Sequence, residues 1–106
     1  MTIDDIIKEY TQPQHDGYGL VALSINSANK AKDFLKRYPA LPQPELSVEP
    51  NGRLGMEWIG KSGRIALAFN PVWGCTYGGT YKGNGFCGKN IIGALWHIKR
   101  ITKQYI

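Results

Sequence analysis

The sequence predicts an α+β domain in which helices, two N-terminal and one C-terminal, pack on one face of a four-stranded antiparallel meander. Three observations carry that reading. Apolar residues recur at helical spacing up to Tyr38 and again after Asn90, and between Leu46 and Tyr77 they alternate with polar ones instead. Pro39, Pro42 and Pro44 mark the first change of period.

Thr2 is placed to cap a first short helix. Asp4 and Asp5 fall in its first turn, where the positive end of the helix dipole favours acids, and Ile3, Ile6, Ile7 and Tyr10 form its stripe. It is expected to end near Gln12-Pro13, and Gln14 to Gly19 has turn composition. Ser24 then caps a second helix whose apolar face is Ile25, Ala28, Ala31, Phe34, Leu35 and Tyr38. The three prolines stop it, because proline lacks an N–H and clashes with the preceding turn.

In the first strand Leu46 and Val48 share one face, while Ser47 and Glu49 share the other. Asn51-Gly52 marks a hairpin, since both residue types tolerate left-handed backbone. Leu54, Met56 and Trp58 carry the apolar face back, with Arg53 and Glu57 outward. After the Gly60 to Gly63 turn, Ile65, Leu67 and Phe69 make a third strand, Asn70-Pro71 breaks it, and Trp73, Cys75 and Tyr77 make a fourth. Glycine content from Gly78 to Gly88 predicts an irregular loop. Asn90 caps a last helix with Ile91, Ala94, Leu95, Ile98, Ile101, Thr102 and Tyr105 inward, and Lys99, Arg100 and Lys103 suit its C-terminal dipole.

A chain of 106 residues is expected to form a single domain, residues 1–106. Its 42% hydrophobic and 11% aromatic content excludes a disordered class. No run approaches the ~20 apolar residues of a membrane span. Acids occupy the N-terminus where a secretory signal would carry bases. A cytoplasmic location is therefore expected, with Cys75 and Cys87 as reduced thiols and no membrane partner.

Charge is divided unevenly. Residues 1–57 hold all eight acids and a net charge of −2, whereas residues 58–106 hold seven bases, no acid and a net charge of +7. Such a half attracts anionic partners, or simply keeps a surface solvated.

Motifs for chemistry are weak. Gly83 to Gly88 matches G-x-G-x-x-G, but a dinucleotide fingerprint needs a parallel βαβ unit and an acid about 20 positions on, and no acid follows Glu57. Glycine-rich amides flanked by Lys82 and Lys89 can instead hold a phosphate or carboxylate, or form a plain flexible loop. His15, Cys75, Cys87 and His97 lack the short spacings of a zinc site, with Cys75 expected in the core and His97 on an exposed side of the last helix. No Cys-His or paired-carboxylate arrangement is set up for catalysis, so no catalytic residue, metal or cofactor is expected.

Asp16-Gly17-Tyr18-Gly19, the helix with Ala31, Phe34, Leu35 and Pro39, then Pro44-Glu45-Leu46, Pro50-Asn51-Gly52 and Met56-Glu57-Trp58 form an ordered set over residues 16 to 59. It resembles the pattern Trp-Asp-Gly-Tyr-Gly, helix, Pro-Glu-Ile, Pro-Asp-Gly, Leu-Glu-Trp of a family of short bacterial and mobile-element proteins. His15 stands where that pattern has Trp. The resemblance implies a compact α+β fold and a bacterial or phage source, and it implies no activity.

The reading is a non-enzymatic binding module. Tyr81, Lys82, Phe86, Lys89, Trp96 and Arg100 combine aromatics with cations on the acid-free half and are the expected contacts. The favoured partner is a protein complex, with nucleic acid as the alternative. Given the resemblance, a phage or mobile-element inhibitor or accessory factor is the specific form, an anti-CRISPR-type inhibitor included.

Overall fold

In a computed structural model of the chain, residues 3–5, 24–72 and 74–102 are described. Helix α1 (Ile25–Arg37) precedes five strands, β1 (Glu45–Val48), β2 (Leu54–Ile59), β3 (Gly63–Phe69), β4 (Cys75–Tyr81) and β5 (Asn84–Gly88), and helix α2 (Ile91–Thr102) follows them. The sheet order is β1-β2-β3-β4-β5 and every pairing is antiparallel. The fold is α+β, as the change of period implies.

The sheet has five strands rather than four, because the segment from Gly78 to Gly88 is a hairpin and not an irregular loop. Tyr77 pairs with Gly88, Gly79 with Phe86 and Tyr81 with Asn84. Lys82 and Gly83 close the turn, both with positive φ, 50° and 82°. Two such residues in a two-residue loop match the right-handed twist of the strands. Glycine adopts this backbone freely, while lysine is strained by roughly 1 kcal/mol. Lys82→Asn, which suits the same turn, is therefore expected to raise the melting temperature by a few degrees in calorimetry.

Asn51 and Gly52 do close the β1–β2 hairpin, within a longer loop. The Gly52 N–H donates to the Glu49 carbonyl at 2.8 Å, and the Glu49 N–H donates to the Arg53 carbonyl at 2.9 Å. Pro50 and Asn51 form the turn and Gly52, at φ 86°, supplies the left-handed residue that resumes the ladder.

Register puts Leu46 opposite Met56, Trp58 opposite Ile65, Leu67 opposite Tyr77 and Phe69 opposite Cys75. That face is covered by Ala28, Ala31 and Phe34 of α1 and by Ala94, Ile98 and Ile101 of α2. The buried stripe of α1 centres on Ser27, Ala31 and Phe34, so Ile25, expected inward, lies to one side and is exposed. Ser27 is fully buried: its hydroxyl donates to the Phe69 carbonyl at 2.7 Å and accepts from the Leu54 N–H at 2.9 Å. The Trp58 indole N–H likewise donates to the Pro42 carbonyl at 2.8 Å.

Residues 3–5 are helical, with Ile3 in the core and Asp4 paired to Lys32 at 2.7 Å on the surface. The rest of the first expected helix, the Gln14 to Gly19 segment, Trp73, Lys103 and Tyr105 lie outside the described residues. Among the described residues no helix is long and apolar enough to cross a membrane.

Candidate partner-binding face

At the β5 edge of the sheet the inner face carries Tyr77, Tyr81 and Phe86, because alternate residues of a paired hairpin point the same way. Helix α2 brings Trp96, His97 and Arg100 onto these rings. Positions 96 and 100 are four apart and so lie on one side of the helix.

The rings interlock. Phe86 and His97 stack with centroids 3.8 Å apart and planes within 3° of parallel. Tyr77 lies 5.5 Å from His97, and Trp96 meets His97 edge-on at 4.9 Å. The Arg100 guanidinium carbon sits between Tyr81 and Trp96, 4.1 Å and 4.3 Å from their ring centres. Lys82 Nζ lies 5.4 Å from the Tyr81 ring, at the tip of the hairpin.

Charge on this face is unpaired among the described residues. Arg53 and Arg64, on the other side of the sheet, are held by Glu49 and Glu57 at 2.9 Å and 2.6 Å. Arg100 has no ion pair among the described residues, and its buried Nε and the buried His97 Nδ1 make no hydrogen bond there. Burial, helped by the Arg100 charge, pushes the His97 pKa below the ordinary histidine value. The folded state thus disfavours imidazolium. Stability is fully present above the unfolded histidine pKa of about 6.5 and is lost as pH falls through the lower folded value. Melting temperature should drop between pH 7.5 and 5, and His97→Gln should reduce that drop.

Five of the positions in this cluster are expected contacts: Tyr81, Lys82, Phe86, Trp96 and Arg100. Phe86 is half-buried rather than an open surface aromatic, since His97 covers it. Lys89 is not among them. It follows the far end of β5, about 17 Å of strand from the turn at Lys82, so the two lysines do not converge on one anion. His97, expected on an exposed side of α2, is half-buried and belongs to the cluster. Its one hint in the sequence is its place beside Trp96, within one turn of Arg100. Tyr77, expected in the core, is half-buried and also joins the rings.

The other candidate groups lie apart among the described residues. Cys75 is buried on the inner face, whereas Cys87 pairs with Gly78 and faces outward, exposed. They lie on opposite faces of the sheet, both as free thiols, and His15 lies outside the described residues. Gly83 to Gly88 spans a turn and an antiparallel edge strand, the wrong setting for a dinucleotide fingerprint. Comparison with protein-family models, with curated proteins and with solved structures finds no match to the chain.

Proposed function

We propose that this protein is a non-enzymatic binding module that docks on an acidic surface of a protein complex through Tyr81, Lys82, Trp96 and Arg100. The observation that carries the reading is the Arg100 guanidinium held between Tyr81 and Trp96, with no carboxylate paired to it among the described residues. Trp, Tyr and Arg are the residue types that dominate interface energetics, and an arginine pre-ordered by flanking rings loses less entropy on binding a carboxylate. Trp96 is 58% exposed and supplies apolar area beside that charge.

The geometry favours protein over single-stranded nucleic acid. A stacking platform presents several open rings in a row, and here His97 covers Phe86 and Arg100 takes one face each of Tyr81 and Trp96, which leaves Trp96 as the one largely exposed ring of the cluster. The resemblance over residues 16 to 59 supplies the setting of an inhibitor or accessory factor from a phage or mobile element.

The test is affinity capture from nuclease-treated extract of the host, with the wild-type chain and a Trp96→Ala/Arg100→Ala double variant as bait. A defined protein complex recovered by the wild type and lost with the folded variant supports the reading. Capture abolished by nuclease supports nucleic acid in its place. Equal recovery by both baits removes this face as the interface.

A further inference from the structure

A second concave feature lies at the opposite end of β5, where α1 faces the start of α2. Its volume is about 420 Å³, within the range of small-molecule sites. One wall is a single stripe of α1, in which Lys30, Phe34 and Arg37 recur at helical spacing, continued by Tyr38 at the C-cap. Phe69 and Cys75 close the base, and Lys89 stands on the opposite wall.

We propose that this groove binds a small aromatic phosphate monoester. Phe34 packs against Tyr38 at 5.2 Å and against Phe69 at 5.6 Å, with the rings tilted by 53° and 54°, which gives the groove an aromatic base that can meet a ring edge-to-face. Lys30, Arg37 and Lys89 bracket that floor from both walls, and their side chains make no ion pair or hydrogen bond among the described residues. Among the described residues Asp33 is the one acid on the lining against three cations, which gives these residues a net charge of +2. A phosphate monoester, near −2 at neutral pH, matches that charge more closely than a carboxylate does. The Cys75 thiol, raised by burial and 3.8 Å from the Lys89 carbonyl, stays protonated and adds no opposing charge. Lys30 and Arg37 lie two helical turns apart, about 10 Å along the axis, which leaves the ring seated between a near and a far cation.

The experiment is an amide NMR titration of the full chain with phenyl phosphate, inorganic phosphate, phenol and benzoate at fixed ionic strength. Phenyl phosphate is expected to shift amides around Phe34, Gly74 and Lys89 and to bind at least about tenfold more tightly than the other three probes. Arg37→Gln and Lys89→Gln, both exposed cations whose loss leaves the core intact, should each weaken it about fivefold or more, and Lys61→Gln, in the β2–β3 turn, should leave it unchanged. The proposal fails if inorganic phosphate or benzoate binds as tightly as phenyl phosphate. It fails equally if Lys61→Gln weakens binding as much as Arg37→Gln, since attraction to net charge alone then explains the result.

Discussion

Ser27→Ala is expected to destabilise the fold by about 2–4 kcal/mol, a drop in melting temperature of roughly 10–25 °C. The Ser27 hydroxyl is fully buried and joins α1 to two strands at once, through the Phe69 carbonyl and the Leu54 N–H. Alanine fills nearly the same space but leaves one donor and one acceptor without partners where no water reaches. Each orphaned group costs ~1–3 kcal/mol, more than the bond itself contributes. Ser24, the N-cap, accepts from the Ser27 N–H at 3.2 Å at the helix end, and Ser24→Ala should cost only about 1 kcal/mol. Urea unfolding of both variants, with exposed Asn29→Ala as a control, checks the ranking. A Ser27→Ala loss below that of Ser24→Ala would show that the strands re-pair without the hydroxyl.

Trp96→Ala and Arg100→Ala should each weaken partner binding by ~2 kcal/mol or more, with the larger share in the off-rate. Trp96 is mostly exposed, so its truncation should leave melting temperature nearly unchanged. Arg100→Lys should behave more like alanine than like arginine, because an ammonium lacks the planar fork that two rings can hold. Lys82→Glu should act differently, slowing association with an acidic partner more than it speeds dissociation. Phe86→Ala is the internal contrast: half-buried beneath His97, it should lower stability as well as affinity. Affinity and melting temperature measured side by side separate these cases. Unchanged affinity in folded Trp96→Ala and Arg100→Ala would move the interface away from this face.

Much of the fold was legible because periodicity reports which side of an element is buried. Leu54, Met56 and Trp58 alternate as a half-buried strand must, and Ala28, Ala31 and Phe34 repeat as a packed helix must. Strand β5 was not legible. Its sequence, Asn84-Gly85-Phe86-Cys87-Gly88, has a single large apolar side chain, so no alternation shows, and its turn is Lys-Gly rather than Asn-Gly. Five of the six expected contacts come together, and Lys89 does not, because an extended strand carries it away from the others. His97 was misplaced for a related reason: once Phe86 is assigned to a loop, nothing is left to cover that side of α2.

The sequence by itself determined the class of the fold, the two long helices, the four apolar strands and the concentration of cations after Trp58, since each depends on local spacing or composition. Tertiary structure decided what local pattern does not contain. It turned a glycine-rich run into an edge strand, because pairing with β4 supplies the backbone hydrogen bonds that side chains did not advertise. It made Ser27 a buried link between layers, and it set Arg100 between its helix neighbour Trp96 and Tyr81 from the β4–β5 hairpin. Ser27 meets Leu54 and Phe69 from far along the chain and Arg100 meets Tyr81 from another element, so only packing brings these partners within reach.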